Sequence, residues 1–139
     1  MMNIEFNTAD MTEETKKRIV DYVYNHYSDA YDFLVLDDST QDSYLLEQQE
    51  ESLWAYNTNF IMDYLKDGIE YSEGLEKAVK MVQEEMCESA NEFIKAITDW
   101  EQMILDAARY DGYGYYLNSY DGEEEELNID GKTFYIYYN

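Results

Sequence analysis

The chain is 139 residues long, about one domain's worth, and carries 32 acidic residues against 9 basic ones, a formal net charge of -23. That sign excludes nucleic acid and anionic membranes as direct partners, and no run of 18 apolar residues is present to span a bilayer. A hydrophobic content of 45% with 17% aromatics excludes a disordered acidic tail, and the single cysteine excludes an internal disulfide.

In chain order, Met1 to Met11 has neither a basic nor an apolar leader region, so no signal peptide is expected and the predicted location is the cytoplasm of a bacterial host cell. Asn3-Ile4-Glu5-Phe6 alternates as a short strand does. Thr12 is a helix N-cap, with Glu13 and Glu14 in the first turn where the helix dipole favours them. Ile19, Val20, Val23, Tyr24 and Tyr27 follow at helical spacing, which predicts a helix over 13–27. Lys16-Lys17-Arg18, the only basic cluster, reads as its solvated face. His26 reads as a C-terminal helix residue rather than a catalytic base.

Phe33-Leu34-Val35-Leu36 fits a buried strand or a helical turn, and periodicity does not decide between them. A polar loop over 37–42 leads into a helix predicted over 43–66, with Leu46, Leu53, Tyr56, Phe60, Ile61 and Tyr64 inward and Asp67-Gly68 as its stop. Ser72 caps the next segment. Its apolar residues recur every three or four positions from Leu75 to Ala107, through Val79, Val82, Met86, Ala90, Phe93, Ile97, Trp100 and Ile104. A continuous helix over 73–110 would be about 57 Å long. Capping signals at Ser89-x-x-Glu92 and Asp99-x-x-Gln102 predict a break, with Ser89 the favoured place. The stripe is expected to be core, with a homodimer seam as the other use of such a face. Cys87, within it, is expected to be a small buried hydrophobe.

The final segment changes character. Gly114–Asn118, Glu124–Ile129 and Lys132–Tyr138 read as three strands, with Asp130-Gly131 as a type I′ hairpin turn. A two-residue turn there pairs Ile129 with Lys132, Leu127 with Phe134 and Glu125 with Ile136. Leu127, Ile129, Phe134 and Ile136 then share the core face. Glu124, Glu126 and Asn128 share the other face with Thr133, Tyr135 and Tyr137, with Glu124 and Glu126 about 6.7 Å apart along the strand. The expected fold is α+β: three to five helices on a small antiparallel sheet that contains a C-terminal three-stranded meander. It forms a single acidic domain over 1–139, mainly helical over 1–111 and a Tyr-rich meander over 112–139.

The chemistry of catalysis is hard to find in this chain. An EF-hand frame started at Asp37 has Asp42 where glycine belongs and Gln48 where glutamate belongs. One His and one Cys, far apart, do not make a zinc site. Neither a nucleophile elbow nor a phosphate loop is present. No catalytic residue, metal site or cofactor is therefore expected, and the chain reads as a non-enzyme.

What remains is carboxylate beside phenol. Between Ile19 and Leu65 no Lys or Arg faces ten acidic residues, and Lys132 alone offsets Asp121 and Glu123–Glu126. Carboxylates recognise Arg and Lys, and a tyrosine ring offers Arg a stacking face. The expected partner-binding residues are Asp37, Asp38, Asp42, Glu47, Glu50 and Glu51, with Asp121, Glu123, Glu124, Glu125, Glu126, Tyr135 and Tyr137.

In size, charge, aromatic content and helix-plus-meander pattern, the chain resembles the small acidic DNA-mimic inhibitors of phages and mobile elements, which include anti-CRISPR and antirestriction proteins. The resemblance includes no shared motif, so it transfers no individual residue. It implies that carboxylates take the places of phosphates in the basic groove of a defence nuclease, first a CRISPR effector and second a restriction enzyme. The alternative is a non-catalytic adaptor or antitoxin-like protein that binds a basic partner.

Overall fold

A computed structural model describes residues 3–27 and 32–139. They are α+β and form two compact units, Met1–Tyr44 with Ala108–Asn139, and Leu45–Ala107. We refer to these as the sheet unit and the helical unit.

The sheet unit is built on four strands: β1 (Asn3–Asn7), β2 (Asp32–Asp37), β3 (Glu125–Ile129) and β4 (Lys132–Tyr138), in the order β1-β2-β4-β3. β1 runs parallel to β2, whereas β2–β4 and β3–β4 are antiparallel, so the sheet is mixed rather than purely antiparallel. The parallel pair is connected through helix α1 (Glu13–His26), as parallel neighbours require a crossover. The Thr12 hydroxyl caps α1 by accepting from the Thr15 amide. Ile19 and Val23 of α1 are wholly buried with Phe33, Val35, Ile129, Phe134 and Ile136. Each such burial contributes about 1.5–3 kcal/mol.

β2 is central, and both of its faces are buried: Phe33 and Val35 on the α1 side, Leu34 and Leu36 on the other. This explains its unbroken apolar run, which a half-exposed strand would interrupt with polar residues. The hairpin register is the one expected. Ile129 pairs with Lys132, Leu127 with Phe134 and Glu125 with Ile136, and the Asp130-Gly131 turn has both residues at positive φ (53° and 84°).

The third member of the predicted meander is not a strand. Tyr113–Leu117 forms a short helix, and β4 takes β2 as its second neighbour. Gly114 sits against the backbone of Gly122 and Glu123, where a Cβ would stand 2.5 Å from the Glu123 carbonyl. Asn118 then closes the following loop: its Oδ1 accepts from the Tyr120 and Asp121 amides, and its Nδ2 donates to the Glu123 carbonyl. Helix geometry at 113–117 and this tied loop displace the expected strand.

The helical unit holds most of α2 (Gln41–Gln49), a 3₁₀ segment (Glu50–Ala55), α3 (Thr58–Met62), α4 (Glu73–Met86), a 3₁₀ turn (Cys87–Ser89), α5 (Ala90–Ile97) and most of α6 (Trp100–Asp111). Tyr113–Leu117 is α7. The helix predicted over 43–66 is thus broken, and buried amides show why. Asn91 accepts from the Trp54 amide and donates to the Glu51 carbonyl. Gln83 donates to the carbonyls of Trp54 and Tyr56. Side chains from α4 and α5 so take backbone groups that a continuous helix would have bonded to itself.

The long stripe breaks twice. The Ser89 break is present, although the Ser89 side chain makes no capping bond; the chain turns at Cys87, with φ of 48°. The second break follows Ile97, where Thr98 bridges Leu65 and the Lys66 and Asp99 amides donate to the Ile97 and Tyr64 carbonyls. Ser72 caps α4 as expected. Cys87 is exposed, against the expectation of burial, because it lies at the corner where α4 ends. Met86 is exposed with it, while Val79, Ala90, Ile104 and Ala107 of the stripe are buried core.

Candidate functional site

The acidic charge is divided almost evenly. The sheet unit carries 17 acidic and 5 basic residues (-12), and the helical unit 15 and 4 (-11). Two cations of the described residues make ion pairs across the fold. Arg18 reaches Asp130 at 3.1 Å, and Lys95 of α5 reaches Glu50 at 2.8 Å, Glu51 at 3.6 Å and Glu92 at 3.7 Å. The Lys95 contacts correct part of the sequence reading, in which Glu50 and Glu51 lacked compensation. Their cation comes from a helix some forty residues further on. Glu47, the third predicted residue in this unit, is exposed on α2. Of the ten acidic residues between Ile19 and Leu65, Asp29 lies outside the described residues.

In the sheet unit the predicted residues fall into distinct environments. Asp37 closes β2 and is buried. Its carboxylate accepts from the Ala9, Ser39 and Thr40 amides and the Ser39 hydroxyl, the arrangement of a turn-forming aspartate. Burial raises its pKa, but the hydrogen bonds from Ser39, Ala9 and Thr40 outweigh burial and hold the carboxyl below its usual range. Its side chain supports the fold and presents no surface charge.

Asp38, next to it, is exposed and accepts from the Tyr135 hydroxyl at 2.6 Å. Glu126 lies directly across the strand pair from Tyr135. Asp42 accepts from Tyr113 of α7, whose phenol is pushed up to about 12 by burial and by that bond. Asp121 accepts from Tyr138 at 2.7 Å. The Asp121 bond, followed by burial, pushes the Tyr138 phenol up to about 12. Glu123 is exposed.

Glu124 and Glu125 are half-buried on opposite faces. Glu124 accepts from Tyr137 and, at 2.8 Å, from Gln41, which also donates to the Tyr137 oxygen. Tyr137 is wholly buried, which corrects the expectation that it stands on an exposed face. The Gln41 amide and Leu34, its partner on β2, belong to its surroundings. Burial raises the pKa of Glu124 and the charge of Glu126 adds to this, while Tyr137 and Gln41 oppose them. Glu125, on the α1 side, accepts from both Tyr22 and Tyr27.

The phenol–carboxylate pair recurs through the chain. At least ten of the sixteen tyrosines donate their hydroxyl to an Asp or Glu. A carboxylate has only acceptor sites, and a chain with nine cations cannot supply each with an ammonium or guanidinium. A phenol supplies the donor and fixes the carboxylate while leaving its charge in place. Sequence reasoning found the composition behind this pairing but, beyond Tyr135 and Tyr137, missed its members, among them Tyr22, Tyr27 and Tyr113, and the Gln41 amide that joins Tyr137 at Glu124. No periodic signal marks them, and the excess of tyrosine over cations was the available clue.

Among the described residues, no group of three or more His, Cys, Asp or Glu is placed to hold a metal ion, and no helix is long and apolar enough to cross a membrane. No protein-family model, curated protein or solved structure matches the chain.

Proposed function

We propose that this protein is a DNA-mimic inhibitor acting in the cytoplasm of a bacterial host cell, where it occupies the basic nucleic-acid groove of a defence nuclease. The first target class is a CRISPR effector and the second a restriction enzyme. The protein binds; it does not catalyse. One observation carries this reading: Asp38, Asp42, Asp121, Glu124 and Glu125 are held in position by neutral phenols. A phosphate mimic needs negative charge that is both fixed and unpaid, and a Tyr–Asp or Tyr–Glu pair supplies both. Lys or Arg in the same place would fix the carboxylate and cancel its charge.

Exposed Asp38, Asp121, Glu123 and Glu126 are the sheet-unit charges available to such a partner. The exposed Met81 and Met86 on α4 favour a second reading, an adaptor held by apolar contact. Capture from a bacterial lysate at 50 and 300 mM salt separates the two, because charge-driven association weakens steeply with ionic strength. Arg-rich nucleases recovered only at low salt support mimicry, and a salt-insensitive partner refutes it. A Glu123→Lys, Glu126→Lys variant should stay folded and lose that capture. Asp37 and Glu124 are unsuitable for this test because their carboxylates are built into the fold.

A further inference from the structure

The tyrosines divide into two groups. Eight of the sixteen are half-buried donors to carboxylates, whereas Tyr24, Tyr71, Tyr110, Tyr115 and Tyr120 are exposed, Tyr110 (91%) and Tyr115 (67%) the most. Both lie at the corner formed by the end of α6, α7 and the loop after it, within the sheet unit. Gly112, with φ of 91°, turns the chain between the two helices. The corner is held in shape from several sides. The Tyr116 hydroxyl bonds Asp111 at 2.9 Å, and the Tyr116 ring meets the Tyr115 ring edge-on at 5.0 Å. Gly114 brings α7 onto the backbone of Gly122 and Glu123, and Asn118 bonds the Tyr120 and Asp121 amides and the Glu123 carbonyl. Tyr120 is 58% exposed, with its ring 5.6 Å from that of Tyr138.

Rings this exposed bury little apolar area for the fold. The same stretch of chain carries exposed Asp111, Asp121 and Glu123, in a unit of charge -12. A ring face beside carboxylates is complementary to a guanidinium, which stacks on the ring and donates in its own plane to the carboxylates. An ammonium gains less, because it has no flat face to stack and no planar fork.

We infer that this corner is an arginine-reading surface, with Tyr110 and Tyr115 as stacking platforms for an Arg-rich segment of the basic partner. The inference rests on the proposed function and deepens it by selecting arginine over lysine and by moving the aromatic contacts from Tyr135 and Tyr137 to α6–α7.

The test uses the full chain with deca-arginine and deca-lysine peptides, titrated calorimetrically at 50 and 150 mM salt. A ring stacked on an exposed cation is worth about two- to fivefold in affinity. The Tyr110→Ala, Tyr115→Ala variant should therefore lose about five- to thirtyfold for the arginine peptide and clearly less for the lysine peptide. The Tyr110→Phe, Tyr115→Phe variant should bind as the unmodified protein does, since the ring and not the hydroxyl is used. Arginine binding unchanged by the alanine pair overturns the inference, and so does an equal loss for both peptides. Binding of neither peptide at 50 mM salt refutes the underlying reading of a cation-binding protein, and the inference falls with it.

Discussion

Replacing Tyr137 by Phe removes one oxygen from a wholly buried site and leaves the ring in place. That oxygen donates to Glu124 and accepts from Gln41. A hydrogen bond to a charged group is worth about 1.5–3 kcal/mol, so Tyr137→Phe should destabilise the protein by that amount at pH 7. The loss should depend on pH. Burial raises the folded-state pKa of Glu124 above its ordinary value, so the folded protein holds that proton more tightly than the unfolded chain. Glu124 therefore lowers stability as pH rises through the interval from the ordinary carboxylate value to the raised one, and the penalty is complete above it. Tyr137 opposes this shift, and removing its hydroxyl raises the Glu124 pKa further and enlarges the penalty. Below the interval Glu124 is protonated in both proteins and the bond lost is a neutral one, worth about 0.5–1.5 kcal/mol. Urea unfolding followed by far-UV circular dichroism at several pH values measures the difference, in which contributions from the other carboxylates cancel. A loss that is the same at every pH, or below about 0.5 kcal/mol at pH 7, would refute the coupling of Tyr137 to an ionised Glu124.

Gly114→Ala should destabilise the sheet unit by about 1–3 kcal/mol, because its Cβ meets Glu123 backbone that has no flexible side chain to yield; thermal unfolding measures this. Cys87→Gly should stabilise by about 1 kcal/mol, since φ of 48° with ψ of -122° suits glycine, and a lower urea midpoint would contradict the strain assigned there. Lys95→Met should cost about 1 kcal/mol at low salt and less at high salt, since Glu50 is half-exposed and Glu51 and Glu92 are largely exposed; urea midpoints at two salt concentrations test this.

The parts of the fold that were legible in sequence are those fixed by local chemistry. Thr12 and Ser72 cap helices because a hydroxyl there meets amides three residues on, and Asp130-Gly131 sets the hairpin because both residues accept positive φ. The register then followed from the period of two. Distant side chains decided the long helix: nothing local to 43–66 announces that Asn91 and Gln83 will take its backbone groups. At 114–118 the deciding residue was local, since Asn118 bonds groups two, three and five residues on, and its turn-forming side chain outweighed a strand reading drawn from tyrosine content. The candidate site was legible to the same extent. Alternation placed Tyr137 on the face opposite Phe134, but alternation does not reveal that this face is covered, as it is at Leu34 and Leu36.

The order of strands in the sheet has a consequence for synthesis on the ribosome. β4 lies between β2 and β3, and the Asn139 amide and carbonyl bond the Asp32 carbonyl and amide. β2 therefore emerges long before the strand that pairs with its second edge, and its apolar run must wait about a hundred residues for that cover. The helical unit is contiguous, Leu45–Ala107, and leaves the exit tunnel ahead of β3 and β4. It can condense first and bring the separated halves of the sheet unit closer, shortening the loop that closure must fix. Nascent chains extended by a C-terminal linker until residue 107 has left the exit tunnel, with 125–138 still inside, should protect the helical unit from protease while leaving β2 open to cleavage or to chaperones.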